Sequence, residues 1–175
     1  SEIPGFQGRA MFQFRQVLEK TPNDPEIHRR LGELFLASRN YTEAEKHIRE
    51  TIKFAPNDAK AHNNLATLYV NQNRFDDAIA GYKKALSIDP KLQSAQLNLA
   101  KVQLGMGLRD DAIAPLKLYL QHKPLDEEAR KLLADALRDL GRKEEAIAEY
   151  EALDALRPND PLSKMNLAQL TRGLG

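Results

Sequence analysis

Residues 59–92 read AKAHNNLATLYVNQNRFDDAIAGYKKALSIDPKL, and this 34-residue pattern returns along most of the chain. A proline marks each period, and the members of this column are Pro22, Pro56, Pro90, Pro124 and Pro158. A fixed step of this length is the sequence signature of a repeat architecture, in which each unit is one supersecondary element. The sequence therefore predicts an array of similar units.

Other positions recur with the same step, and each keeps one kind of side chain. A small residue follows each member of a leucine column, which comprises Leu31, Leu65, Leu99, Leu133 and Leu167. An alanine column comprises Ala10, Ala44, Ala78, Ala112 and Ala146. Within one period the apolar residues are three or four positions apart, which is the spacing of a helix face. Each period therefore predicts two helices, and the small columns allow these helices to pack closely.

The ends of the predicted helices are also marked in each period. A turn is predicted at residue pairs that contain glycine or asparagine, which adopt the left-handed conformation that ends a helix. These pairs are Arg39-Asn40, Asn73-Arg74, Gly107-Leu108 and Gly141-Arg142. The repeat prolines stop the second helices because they have no amide hydrogen. The N-caps predicted for the next helices are Asp24, Asp58, Asp126 and Asp160, and Thr42 with Glu45 predicts a capping box.

This set of residues resembles the tetratricopeptide repeat. The match comprises the 34-residue period, the leucine followed by a small residue, the alanine of the second helix and the closing proline, and it covers nearly the whole chain. The resemblance implies an all-α fold, a right-handed α-solenoid of antiparallel helix pairs whose first helices line a concave face. The chain departs from the family pattern at Gln103, where an aromatic residue is usual, and at four positions where tryptophan is frequent. Those four are His28, His62, Gln96 and Arg130.

In this register the chain is one superhelical domain, residues 1–175. Its four full repeats are residues 25–58, 59–92, 93–126 and 127–160. Residues 1–24 supply only a second helix, and residues 161–175 supply only a first helix that acts as a cap. We expect the missing first helix upstream, in a longer parent protein.

Polar residues on the predicted concave face are the candidate peptide-binding residues. They are Arg29, Lys60, Asn63, Asn64, Thr67, Asn98, Lys101, Lys131 and Asn166. Asn64, Asn98 and Asn166 share one column, and a carboxamide holds an amide of an extended main chain by two hydrogen bonds. This column resembles the asparagine ladder in the tetratricopeptide superhelix of O-linked N-acetylglucosamine transferase. The alternative is that these asparagines solvate a helix face or bond to the neighbouring helix.

A second family device, the carboxylate clamp that holds the terminal carboxylate of a peptide, does not fit this chain. Arg29 and Asn64 match two of its positions. Glu33 stands where the clamp needs an asparagine, and Asn98 stands where it needs a cation. Binding of a chaperone tail is therefore not predicted.

Composition and motifs predict no enzyme, no cofactor and no metal site. The 175 residues include no cysteine, which excludes disulfides, thiolate metal sites and cysteine catalysis. His28 and His62 share a column, but two histidines without a third ligand do not form a metal site. His47 and His122 are interpreted as isolated. No phosphate-binding loop, nucleophile elbow or HExxH motif occurs.

Charge and hydropathy exclude two further classes of partner. The 26 basic residues are balanced by 25 acidic ones, and a net charge of +1 does not predict a nucleic-acid partner. No apolar run reaches the roughly 18 residues of a membrane span, so direct membrane insertion is not predicted.

The predicted function is a non-catalytic scaffold that binds another protein or an extended peptide in its concave groove. Two alternatives stay open. In one, repeat edges join copies of this chain into an oligomer. In the other, the chain is the targeting or substrate-binding arm of a larger protein, such as a glycosyltransferase. The repeat columns define the fold and contain no information about the partner.

Overall fold

The structure, a computed structural model, describes residues 5–158 and 161–172. Within these ranges it contains ten α-helices and no β-strand, which confirms the predicted all-α fold. The helices are α1 (Gly5–Lys20), α2 (Pro25–Ala37), α3 (Tyr41–Phe54), α4 (Ala59–Asn71), α5 (Phe75–Ile88), α6 (Gln93–Gly105), α7 (Arg109–His122), α8 (Glu127–Asp139), α9 (Lys143–Leu156) and α10 (Pro161–Thr171). None of these helices is both long and apolar enough to cross a membrane.

A short turn with one left-handed residue joins the two helices of a pair and folds them back on each other. The left-handed residue has a φ of 58° at Arg39, 59° at Asn73, 77° at Gly107 and 73° at Gly141. The predicted helix breaks are therefore confirmed. In the first pair, however, the left-handed residue is Arg39 and not the neighbouring asparagine, although this conformation is uncommon for a residue with a long side chain.

Aspartates begin the first helices as predicted. Asp24 accepts hydrogen bonds from the amides of Glu26 and Ile27, and Asp58 and Asp126 each accept one from the amide three residues later, over 2.9 Å. Asp160 lies outside the described residues. The predicted capping box at Thr42 is wrong, because the side chain of Asn40 caps α3 by accepting from the amide of Glu43. Local side-chain bonds therefore satisfy amides that the helix itself leaves unpaired.

The chain forms two compact units, residues 1–95 and residues 96–175. In the first unit α1 packs on α2, α2 on α3, α3 on α4 and α4 on α5. The core of this unit contains Met11, Leu31, Phe35, Ala44, Ile48 and Leu68. In the second unit α7 packs on α8, α8 on α9 and α9 on α10, around a core that contains Leu116, Leu133, Leu137 and Tyr150. Within each unit these helices thus bury apolar faces against their sequence neighbours, as in stacked repeats. The exact repeat boundaries stay a prediction.

Most small residues of the repeat columns are buried in the helix packing. The fully buried members of the two small columns are Ala44, Ala66, Ala78, Ala100, Ala112, Ala134 and Ala146. Gly81 on α5 marks a particularly close approach, because a Cβ atom at this position would lie 2.8 Å from the Cβ of Ala66 on α4. Glycine at position 81 therefore sets how near α4 and α5 lie.

Candidate functional site

Helix α4 presents a cluster of three polar side chains, Asn63, Asn64 and Thr67. Asn63 is 7% exposed, and its Nδ2 donates a hydrogen bond to Oδ1 of Asn64 over 3.3 Å. Thr67 donates its hydroxyl hydrogen to the main-chain carbonyl of Asn63 over 3.0 Å. Within the part of the chain that the structure describes, Oδ1 of Asn63 and Nδ2 of Asn64 have no hydrogen-bond partner. The cluster therefore contains one unpaired acceptor and one unpaired donor.

Arg29 on α2 is enclosed by carboxylates. Its guanidinium contacts Glu26 and Glu33 at 2.5 Å and Asp58, the N-cap of α4, at 3.4 Å. Burial alone would lower the pKa of Arg29, but the bonds to Glu26 and Glu33 raise it. The same contact with Arg29 lowers the pKa of Glu26. Arg29 therefore fastens α2 to the start of α4, and its charge is already neutralised within the chain.

The three lysines predicted for the binding face are exposed. In the second unit, Nζ of Lys101 lies 2.8 Å from Oε1 of Glu128, and both side chains are open to solvent. Surface pairs of this kind contribute about 0–1 kcal/mol, so a ligand carboxylate competes with Glu128 at little cost. Lys60 and Lys131 form no ion pair with any residue that the structure describes, and the half-buried Asn98 likewise forms no side-chain hydrogen bond there.

Asn166 lies inside the second unit. It is 4% exposed, and its Oδ1 accepts a hydrogen bond from Arg138 over 3.4 Å. Arg138 also contacts Asp135 and Asp139, each at 3.0 Å. Asn166, a member of the asparagine column, is therefore part of a polar network between α8 and α10. This placement agrees with the alternative interpretation of the column, in which an asparagine bonds to the neighbouring helix.

Two buried tyrosines of the second helices orient polar residues of the first helices, and sequence analysis missed both. The hydroxyl of Tyr82 lies 3.1 Å from Oγ1 of Thr67. Tyr150 donates to Oδ1 of Asp135 over 2.5 Å. Burial raises the pKa of both tyrosines, and at Tyr150 the bond to Asp135 raises it further. Each polar partner precedes its tyrosine by 15 residues. This shared spacing was the one feature of the sequence from which the two contacts could have been predicted.

The interpretation of His47 as isolated is wrong, because its Nδ1 lies 2.9 Å from Nδ1 of His28. Both rings are buried, and Phe35 stacks on His47 with a distance of 5.5 Å between ring centroids. The sequence shows no sign of this pair because the two histidines belong to different repeat columns. Within the described ranges no three histidine or carboxylate side chains are grouped as metal ligands would be.

The sequence matches models of two known families. Tetratricopeptide repeat models match residues 59–92 and residues 8–68. A model of a bacterial transcriptional activator domain matches residues 88–159. No curated protein matches the sequence. The tetratricopeptide matches together run through α2 and α4, the helices that carry Arg29 and the Asn63 cluster.

Several solved structures share the fold. YrrB, described as a TPR protein with an unusual peptide-binding site, superposes with a TM-score of 0.82 at 18% identity, over 90% of this chain and 81% of YrrB. PilF of Pseudomonas aeruginosa gives 0.78 at 19% identity, over 97% and 78% of the two chains. MamA gives 0.73 at 20% identity, over 83% and 85%. These TM-scores establish a common fold. The chain therefore contains tetratricopeptide repeats, which the family models match within residues 8–92.

Proposed function

We propose that the chain binds an extended segment of another polypeptide along its first helices. The observation that carries this proposal is the α4 cluster, where Oδ1 of Asn63 and Nδ2 of Asn64 lack partners. An unpaired buried polar atom costs about 1–3 kcal/mol, so a ligand that pairs both atoms gains affinity. A peptide group offers one N–H and one C=O, which match this acceptor and this donor. Both atoms are covered by protein, and we expect the side chains to turn outward on binding.

The remaining candidate residues take different parts in this proposal. Thr67 lies one turn further along α4, and its hydroxyl bonds to the main-chain carbonyl of Asn63. Asn98 supplies a second amide in the second unit, and the exposed Lys60, Lys101 and Lys131 favour a ligand with acidic side chains. Arg29 and Asn166 would support the first helices from the interior, because each is more than nine-tenths buried.

The test removes one amide from each unit with the double substitution Asn64→Ala and Asn98→Ala. The ligand is a linear peptide selected on the wild-type chain from a random displayed library. We expect Kd to rise about 30-fold, at about 1 kcal/mol for each amide that loses its hydrogen bonds. Isothermal titration calorimetry measures Kd, and circular dichroism checks that helix content is unchanged. The matched control is Gln121→Ala, an exposed amide on α7, which should leave Kd unaltered.

A second form of the peptide tests the role of its backbone. N-methylation of the central amides removes N–H donors while leaving every side chain in place, so it should weaken binding to the wild-type chain. Binding that is equally tight after both the methylation and the double substitution would contradict the proposed grip on main-chain amides.

Self-assembly is the second candidate function, because α1 exposes apolar side chains. Phe12 is 62% exposed and Val17 is 40% exposed, and Phe12 borders a groove of about 490 Å³ that includes Gly5 and Gly8. Exposed apolar patches often mark interaction surfaces. Analytical ultracentrifugation over a range of concentrations distinguishes the candidates. A dimer that Phe12→Glu dissociates favours self-assembly, and a constant monomer mass contradicts it.

A further inference from the structure

We propose that His28 and His47 form an acid-sensitive latch that holds α2 against α3. The Nδ1 atoms of the two rings lie 2.9 Å apart, and the side chains belong to different helices of one pair. His28 is 7% exposed and His47 is 8% exposed, so water competes little for the bond between them. The latch lies entirely within the first unit.

The surroundings of His28 determine where the hydrogens lie. Its Nε2 is 2.9 Å from the carbonyl oxygen of Pro22, which only accepts hydrogen bonds. Nε2 of His28 therefore carries a hydrogen, and in the neutral ring Nδ1 is the acceptor. Nδ1 of His47 must then donate, which leaves Nε2 of His47 without a hydrogen. While both rings are neutral, the pair has this one satisfied arrangement.

An added proton places a charge inside this pair. The nitrogen open to it is Nε2 of His47, and protonation there charges a ring that is only 8% exposed, in an interior where an uncompensated charge is costly. The closed pair therefore disfavours a proton on His47 that a water-exposed imidazole accepts.

Some charged groups near His47 lower its pKa, and another raises it. Burial, and then the adjacent His28 on α2, lower the pKa of His47 to about 4. Lys46 on α3 and Arg15 on α1 lower it further, while the carboxylate of Glu43, 4.0 Å from Nε2, acts against them. On the α4 side, Asp58 is already engaged by Arg29. One carboxylate at this distance does not compensate for burial and the two cations.

Acid favours the open state over the closed state of the latch. The pKa of His47 is depressed in the closed state from the ordinary value of 6.5, so the open state binds the proton more tightly. The contact between α2 and α3 is fully stabilised above pH 6.5 and is weakened as the pH falls towards 4. Because Arg29 on α2 contacts Asp58 at the start of α4, opening of the latch would loosen the α4 cluster and release a ligand in acid. Only this last step rests on the proposed function.

The next helix pair provides an internal control for the latch. His62 occupies the same column as His28, and its Nε2 lies 2.9 Å from the carbonyl oxygen of Pro56. The position that corresponds to His47 is Gly81, which has no side chain to meet that ring. The pair α4–α5 therefore has the first histidine and its bond to a proline carbonyl, without a second histidine opposite it.

The test follows native-state hydrogen exchange of the ligand-free chain from pH 7 to pH 4.5, with rates corrected for the intrinsic effect of pH. Between the two pKa values of His47 we expect the opening of α2 and α3 to increase by up to about tenfold per pH unit, relative to α4 and α5. The double substitution His28→Gln with His47→Gln should abolish this difference, and His62→Gln should preserve it. An equal response of both helix pairs in the wild-type chain, or an unchanged response in the double variant, would overturn the latch.

A measurement on the wild-type chain keeps the proposal testable if the double variant does not fold. Nitrogen NMR of the imidazoles at neutral pH should find His47 with its hydrogen on Nδ1 and His28 with its hydrogen on Nε2. A hydrogen on Nε2 of His47 at this pH would refute the arrangement. Neither experiment involves a peptide, so a failed latch leaves the proposed binding function standing, and failure of peptide binding leaves the latch standing.

Discussion

Replacement of Gly81 by alanine tests how closely α4 and α5 pack. The new Cβ would lie 2.8 Å from the Cβ and 3.3 Å from the Cα of Ala66. Non-bonded carbon atoms prefer a separation of about 3.5–4.0 Å. Both contacting atoms are attached directly to helix backbones, so a change of rotamer does not relieve the contact. The two helices must therefore move apart by about 1 Å to restore a normal contact distance.

Two contributions of opposite sign set the expected change in the free energy of unfolding. Alanine in a helix interior is favoured over glycine by about 1 kcal/mol. Forcing an extra methyl group into a packed core costs about 1–3 kcal/mol. We therefore expect Gly81→Ala to lower the free energy of unfolding by about 1 kcal/mol. The matched control is Gly105→Ala, where an added Cβ meets nothing within 4 Å, and there the free energy of unfolding should rise by a few tenths of a kcal/mol.

Urea unfolding followed by helical circular dichroism measures these changes, provided that the m-value stays constant. A second substitution, Ala66→Gly, removes the opposing methyl group. The double variant should be more stable than the sum of the two single effects predicts, by about 1 kcal/mol or more, because residues in contact couple. Additive effects, or a Gly81→Ala variant as stable as Gly105→Ala, would refute the close approach of α4 and α5.

Two further predictions concern the second unit. Gln103 on α6 is 3% exposed, and its Oε1 has no partner among the residues described. Gln103→Met removes this buried acceptor at similar volume, so urea unfolding should show a gain of about 1 kcal/mol, while Gln121→Met on the surface should show none. Bonds from the amide of Ala129 and then from Tyr119 lower the pKa of Asp126. Its contribution to stability is therefore present above the ordinary carboxyl pKa and is lost as the pH falls through the lowered value, and Asp126→Asn should flatten that acid limb of the melting temperature against pH.

Local chemistry explains why much of the fold is predictable from the sequence. Asp58 caps α4 through an amide three residues away, and Gly107 permits a left-handed turn because it has no Cβ. Neither effect depends on distant parts of the chain. The small columns are equally readable, because alanines recur 34 residues apart and are fully buried at Ala44, Ala78, Ala112 and Ala146. The errors at Arg39 and Thr42 are also local, since several residues in one turn are able to take the left-handed or capping position.

The candidate site was less predictable, because its properties depend on which side chains meet across helices. The sequence identifies Arg29 and Asn166 as polar residues on first helices, but only the packed structure surrounds Arg29 with three carboxylates and buries Asn166 against Arg138. The pairing of His28 with His47 is of the same kind, because a distance of 2.9 Å between two columns follows from how α2 lies on α3. Periodicity alone determined the helices and the face that each one buries. The partners of the polar side chains were decided by tertiary packing, since a hydrogen bond forms only at a distance that the helix positions set.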